Sequence, residues 1–265
     1  SDLFGAGTGG LSLARLLADR GVSATVFEAS NMVGGKAESV HDYGTAIEMG
    51  TCYTTLSPST VKRWMRGLGI ALMRNGTARY DGRNFKQYVE EGEGPPFLVQ
   101  MLSYLKHSWS LKNRLAKTPN DPEVLEEASL TILDWLRVRD LPKMELFLHR
   151  IQTVMGYGFL DETTAVQAQH WCNASLIISG FLNQLHMPVE GWSEFWRRLA
   201  LDLDVRTNCP VQRVERHPDY VELHTEQGVF KAGQVVSSIG MVDFGKIADL
   251  TDAEGRVNQG VEWGG

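Results

Sequence analysis

Residues 1–36 read SDLFGAGTGGLSLARLLADRGVSATVFEASNMVGGK, and this stretch decides the fold. Gly5, Gly7 and Gly10 stand in a GxGxxG frame, with Glu28 eighteen residues after the last glycine. Leu3 and Phe4 precede the turn. Leu11, Leu13, Ala14, Leu16, Leu17 and Ala18 then supply a helix with a broad apolar face, and Ala24 to Phe27 a short buried strand. The order strand, tight turn, helix, strand is a βαβ unit. In such a unit the first glycine permits the bend, the second lets the backbone approach a pyrophosphate, and the third lets helix and strand pack closely. A helix starting near Thr8, just after Ala6 and Gly7, aims its positive end at the phosphates. Glu28 ends the second strand, where a carboxylate accepts hydrogen bonds from ribose hydroxyls and repels a 2′-phosphate. The expected ligand is a dinucleotide.

The residues after Glu28 separate a flavin dinucleotide from a nicotinamide one. In Glu28-Ala29-Ser30-Asn31-Met32-Val33-Gly34-Gly35-Lys36, a second glycine pair and then a base add backbone amides and a cation near the same pyrophosphate. This longer pattern resembles the signature of the flavin-dependent amine oxidase and phytoene desaturase superfamily, in which arginine is common at the position of Lys36. The resemblance implies FAD as cofactor, held by Gly5, Ala6, Gly7, Thr8, Gly10, Glu28, Ala29, Gly34, Gly35 and Lys36.

Further segments are similar in order and type. Ala46-Ile47-Glu48-Met49-Gly50 looks like the superfamily segment that returns along the ribityl chain, which adds Glu48, Met49 and Gly50 to the implied cofactor contacts. Met155-Gly156-Tyr157-Gly158-Phe159, Glu190-Gly191-Trp192 and Asn208-Cys209-Pro210-Val211-Gln212-Arg213-Val214 also match, and the residue at Val211 is implied to present its backbone to the adenine. Together the GGK, EMG and GYG segments look closest to bacterial polyunsaturated fatty acid double-bond isomerases. Such enzymes continue past the strand at Val235 to Ser238 into a substrate sheet and a closing glycine-aspartate segment, which do not follow here. With only two apolar residues ahead of Gly5, the natural chain is expected to begin upstream, while the missing C-terminal part fits either a longer natural chain or a truncated protein.

The middle of the chain changes character. Thr60 to Leu68, Phe97 to Leu115, Val124 to Arg139, Lys143 to Met155 and Ala165 to Leu185 carry helical periodicity. One hairpin is expected among them, with Ala78 to Tyr80 and Asn84 to Val89 flanking Asp81-Gly82. After Gly191 a helix over Ser193 to Leu203 leads to strands at Val211 to Arg216, Tyr220 to Thr225, Val229 to Lys231 and Val235 to Ser238. The expected class is α/β: a Rossmann-like FAD-binding domain made by residues 1–56 and 188–265, interrupted by a mainly helical, substrate-side domain over residues 57–187.

Composition narrows the alternatives. The chain has 265 residues and a 43% hydrophobic content, ample for a buried core. Its 32 acids and 26 bases are interspersed, giving a net charge of −6 with no basic stripe, so no nucleic-acid partner is expected. No run of eighteen apolar residues crosses a membrane. Cys52, Cys172 and Cys209 form no CxxC pair, which favours a reducing compartment and thus a cytoplasmic location. Glycosylation at Asn75 or Asn173 is not expected. His41, His107, His149, His170, His186, His217 and His224 show no HExxH and no close pairing, so no metal is expected. There is no GxSxG nucleophile elbow.

The resemblance implies an FAD-dependent oxidoreductase or isomerase that abstracts hydride from an apolar or lipid-like small molecule. No acid–base constellation is needed for that chemistry, since the cofactor carries it and the protein positions the substrate. Tyr157 and Phe159, on a stretch expected to be extended, are the implied substrate wall; a buried anchor is the competing expectation. A flavin amine oxidase is the second expectation, and a truncated, non-catalytic scaffold on the same fold the third.

Overall fold

The computed structural model describes residues 1–42, 44–74, 79–80, 82–153 and 156–259. The described chain forms two compact units: Ser1–Tyr53, Pro58–Met73 and Met187–Gly265 make the first, and Thr54–Ser57 with Arg74–His186 the second.

In chain order the elements begin β1 (Asp2–Phe4), α1 (Thr8–Ala18), β2 (Thr25–Phe27), β3 (Ser39–Asp42), β4 (Thr45–Glu48), α2 (Thr60–Gly67) and β5 (Leu72–Arg74). There follow β6 (Arg79–Tyr80), β7 (Arg83–Asn84), α3 (Phe85–Glu90), α4 (Phe97–Lys117), α5 (Pro122–Ser129), α6 (Ile132–Arg137), α7 (Pro142–Gln152), α8 (Ala165–Trp171) and α9 (Ala174–Phe181). The chain closes with β8 (His186–Pro188), α10 (Trp192–Ala200), β9 (Asp204–Arg206), β10 (Arg213–Arg216), β11 (Val221–Thr225), β12 (Gly228–Ala232), β13 (Val235–Ser237), α11 (Met241–Ile247) and α12 (Asp252–Gln259).

The first unit is layered by the two-residue period of its strands. A parallel sheet has the order β13-β1-β2-β9, with Leu3 beside Val26 and Val236. Leu3 and Val26 face one way and are buried with Leu11 and Ala14 of α1 and Phe195, Trp196 and Leu199 of α10. Phe4 and Phe27 face the other way, onto Val214, Leu223 and Phe230 of the antiparallel sheet β10-β11-β12. Helices thus cover one face of the parallel sheet and a second sheet the other. Strand β9 and the hairpin β3–β4 lie outside the sequence expectations; β9 is three residues long and only partly apolar. Helix α2 belongs to this unit, its Trp64 and Met65 buried in the α1–α10 core.

The second unit is helical apart from short strands. Tyr104 and Leu111 of α4, Ile132, Trp135 and Leu136 of α6 and Met144 and Leu148 of α7 are almost fully buried. Two expectations are corrected here. The hairpin is present in its short form, β6 pairing with β7, but Phe85 to Glu90 is helix and not strand. Asn84 accepts from the Gln87 N–H while the Gln87 side chain accepts from the Asn84 N–H, a reciprocal cap that starts a helix. The ends of that hairpin expectation at Ala78 and Asp81 lie outside the described residues. The long helices expected at Val124 to Arg139 and Ala165 to Leu185 are each broken in two, because Thr131 and Asn173 cap the following helices, accepting from the N–H groups of Asp134 and Leu176.

Candidate cofactor site

The glycine turn is shaped by close backbone approach. A Cβ on Gly10 would lie 2.0 Å from the Gly5 carbonyl oxygen, so no side chain fits there. Ser238, just after β13, braces the same turn by donating to the Gly5 carbonyl at 2.6 Å and the Phe4 carbonyl at 3.2 Å. Gly7, by contrast, has no heavy atom within 4 Å of the place a Cβ would take. It is the N-cap of α1 and offers no side-chain cap, so the first N–H groups of the helix keep their donors for an external anion.

The second glycine pair comes to the first. Gly34 forms a parallel bridge with Gly7, and its N–H donates to the Ala6 carbonyl at 2.8 Å. Gly35 would place a Cβ 3.1 Å from the Gly7 Cα. Glu28 ties the loops together: one carboxylate oxygen accepts from the Ala6 N–H at 2.7 Å, the other from the Ser30 N–H at 2.9 Å and the Ser30 hydroxyl at 2.8 Å. The oxygen that accepts from Ala6 retains a lone pair for a further donor, whereas the one held by Ser30 already accepts two.

The remaining expected residues divide into contacts with this cradle and supports of it. A Cβ on Gly50 would sit 1.8 Å from the Lys36 carbonyl oxygen, so the EMG segment meets the GGK segment backbone to backbone. Lys36 and Met49 are exposed. Met49 is fixed by its N–H to the Glu38 carbonyl at 2.9 Å. Glu48 accepts from the Ser39 hydroxyl at 2.8 Å and from the Trp192 N–H at 3.0 Å, so its carboxylate fastens the β3–β4 hairpin to the start of α10. Ser193 completes that junction, its hydroxyl accepting from the Ser39 N–H at 2.7 Å. Ala29 and Thr8 are exposed at the rim. Asn208 and Cys209 donate from their N–H groups to the carbonyls of Ser30 and Glu28, both at 2.8 Å, laying the chain toward Val211 alongside the Glu28 loop. The Val211 side chain packs on the Phe4–Phe27 core.

Ser30, Ser39, Ser193 and Ser238 are the supports that sequence reasoning missed. Ser30 carried a local signal, two residues after the acid; the others are contacts between distant segments. All three cysteines are free, Cys172 and Cys209 buried and Cys52 partly exposed, and burial pushes the Cys172 thiol up to about 12.

Tyr157 and Phe159 lie in the second unit. They do not form the extended stretch expected: Gly156 and Gly158 take φ of 76° and 97°, and the segment is a turn. Tyr157 stacks on Trp171 with centroids 4.5 Å apart, while Phe159 is 56% exposed, which removes the buried-anchor alternative for that ring. Met155, at the head of the same motif, lies outside the described residues.

The profile of the family described as "Flavin containing amine oxidoreductase" matches residues 8–243, and the chain belongs to this family, whose members bind FAD. Among particular relatives, it is 23% identical over 228 residues to "Probable polyamine oxidase 4" of Arabidopsis thaliana, an alignment covering 81% of this chain and 44% of the relative. In fold it is similar to the CLA-producing fatty acid isomerase from P. acnes, with a TM-score of 0.76, 22% identity and coverage of 97% of this chain and 63% of that one. It is also similar to putrescine oxidase bound to putrescine, with a TM-score of 0.73, 19% identity and coverage of 97% and 62%. The chain spans about half the length of the curated oxidases it matches, from 44% to 56%. Among the described residues no helix is long and apolar enough to cross a membrane.

Proposed function

We propose that the first unit binds FAD through the two apposed glycine loops and that the protein uses it to take hydride from an apolar or lipid-like small molecule. The observation that supports this most is the approach of Gly34 and Gly35 to Ala6 and Gly7 beside the uncapped start of α1. In this reading Gly5 and Gly10 shape the turn, and Gly7, Thr8, Gly34 and Gly35 supply donors and clearance to the pyrophosphate, with Lys36 as nearby cation. Glu28, with Ala6 and Ala29 beside it, receives the adenosine ribose; Val211 offers its backbone to the adenine. Met49 and Gly50 border the path to the flavin ring, with Glu48 holding them against α10. FAD supplies the hydride-accepting ring; the chain binds and orients it.

The apolar substrate class is favoured by Phe159, Trp171, Ile178 and Leu182, each at least 39% exposed in the second unit. Return of the hydride to the same substrate gives double-bond isomerisation; its passage to another acceptor gives desaturation. The polyamine oxidase relative supports a second reading, oxidation of an amine.

The absorbance spectrum of the purified protein tests the cofactor: bound oxidised flavin is yellow. Glu28→Ala removes acceptors worth about 1.5–3 kcal/mol per hydrogen bond, so the Kd for FAD rises by roughly one to two decades per bond lost. An unchanged Kd overturns the assignment. Anaerobic mixing of the flavin-loaded protein with linoleate or with putrescine separates the substrate readings by which one bleaches the flavin or emerges altered. In Phe159→Ala, melting near wild type with a changed KM or product distribution supports the substrate wall; unchanged kinetics retires it.

A further inference from the structure

The exposed face of the β10–β11–β12 sheet carries a group of side chains that the cofactor reading does not use. Glu215-Arg216-His217 on and just beyond β10 and Glu222-Leu223-His224 on β11 repeat one pattern, an acid and a histidine two residues apart. On a strand, that spacing puts both side chains on one face. The antiparallel register sets Glu215 directly opposite Glu222. Val214, Leu223 and Phe230 take the opposite face into the core, so the acids and histidines share the outer one.

Four ring nitrogens and carboxylate oxygens converge there. The Nε2 of His224 lies 3.5 Å from Oε2 of Glu215 and 3.5 Å from Oε2 of Glu222. The Nε2 of His217 lies 3.9 Å and 4.0 Å from the same two oxygens. A tetrahedral zinc site with arms of about 2.1 Å has ligand–ligand edges of about 3.4 Å. The His224 Nε2 stands at that spacing from both carboxylates, the ligand atoms of Glu215, Glu222 and His224 all lie within 4.8 Å of one another, and the His217 ring beside the same two oxygens offers the fourth ligand.

Three further features favour a cation. Like charges directly opposite in an antiparallel pair are destabilising, and Glu215 and Glu222 are such a pair. The outer oxygens are held by bases: Lys231 pairs with Oε1 of Glu222 at 2.9 Å and Arg213 with Oε1 of Glu215, leaving both Oε2 atoms turned to the histidines. Such outer partners orient ligands in metal sites. Finally, the Nε2 of His224 is shielded from solvent without a hydrogen-bond partner, a polar atom that requires an explanation. The side chains of Glu215, Glu222, His217 and His224 are 16–36% exposed, so an ion can enter from the surface.

We propose that Glu215, Glu222 and His224, completed by His217, form a zinc-binding site that clamps β10 to β11. Two imidazoles with two carboxylates suit zinc, whereas magnesium and calcium prefer all-oxygen sets. The site departs from the expectation that the histidines bind no metal, and it stands whether or not the proposed catalytic function does.

The test is calorimetric titration of the chelator-stripped full chain with Zn2+, with Mg2+ as the control, alongside thermal melts. The expected result is one saturable zinc site and a rise in Tm, with neither for Mg2+. His224→Ala and Glu215→Gln, both on the outer face of the sheet, weaken zinc by more than the roughly tenfold lost when only an outer-shell partner is removed. His41→Ala, on β3, leaves binding intact. Should a variant fail to fold, wild-type protein is treated with diethylpyrocarbonate: zinc is expected to protect His217 and His224 and not His41. Absence of a saturable site, binding that persists in both cluster variants, or unprotected His217 and His224 overturns the proposal and leaves a surface ion-pair cluster.

Discussion

The glycine cradle of the first unit and the helices of the second are ordered by opposite means. At Gly10 and Gly50 a backbone carbonyl occupies the space where a side chain would begin. In the second unit side chains impose the order: Asn84, Asp121, Thr131, Thr164 and Asn173 each cap a helix. At its centre Trp135 is fully buried, donates to Glu127 at 3.0 Å and lies under the Arg139 guanidinium. Burial raises the Glu127 pKa, but hydrogen bonds from Arg114 and Trp135 and the charge of Arg139 outweigh it, and the carboxyl titrates below its ordinary value. The cradle therefore fails when an atom is added, and the helical unit when one is removed.

The largest expected effect tests the helical side. Trp135→Ala costs about 3–5 kcal/mol of stability, read from the denaturant midpoint, as for other buried aromatics truncated in cores. A loss under about 1 kcal/mol would break the comparison, since it would mean that volume is not what orders this unit.

Next is a paired substitution at the cradle. Gly10→Ala forces a carbon into the Gly5 carbonyl and is expected near the upper end of overpacking costs, about 3 kcal/mol, with loss of bound flavin. Gly9→Ala, one residue earlier with nothing within 4 Å of the new carbon, is expected to raise apoprotein stability by about 0.4–1 kcal/mol. Similar melts for the two would show that the contact with Gly5 is not decisive.

Ser238→Ala removes the hydroxyl from the Gly5 carbonyl and is expected to cost about 1 kcal/mol. An FAD affinity that falls further than the fold weakens would sharpen the link between brace and cradle.

The smallest effect is one of pH. Hydrogen bonds from Arg197, opposed by desolvation and aided by Arg198, hold the Glu194 carboxyl at about 2 against an ordinary 4.5. Its pairing is fully present above pH 4.5 and is lost as pH falls toward 2, because the unfolded chain takes up the proton first. The pair is partly solvated, so the stability gap between wild type and Glu194→Gln is expected to be a few tenths of a kcal/mol at pH 6 and to close in that window. A gap that widens on acidification contradicts the assignment.

Local chemistry was legible in the sequence and distant contact was not. The glycine turn, Glu28 and the Gly34–Gly35 pair could be read because their spacing carries the reason for each residue. The meeting of Gly50 with Lys36, or Ser238 with Gly5, depends on how the sheet closes. Phe85, Tyr88 and Val89 read as strand because aromatic and branched residues dominate there, while the reciprocal cap between Asn84 and Gln87 decided for helix. The breaks before Ile132 and Ala174 were hidden because apolar periodicity continues across the caps at Thr131 and Asn173. The paired acid and histidine motifs on β10 and β11 become a cluster only once the register sets Glu215 opposite Glu222.

The brace between Ser238 and Gly5 spans 233 residues, and this separation has a consequence for how the molecule is made. Strands β1 and β2 are encoded ahead of the second unit, but their sheet neighbours β13 and β9 follow it, some two hundred residues later. Until then the nascent chain carries a short parallel pair with both edges unpaired, an arrangement prone to wrong pairing. The second unit, which ends at His186, is fully translated before β9 appears. Closure of the glycine turn thus waits until the whole second unit has been made, and the high contact order of this sheet works against rapid folding.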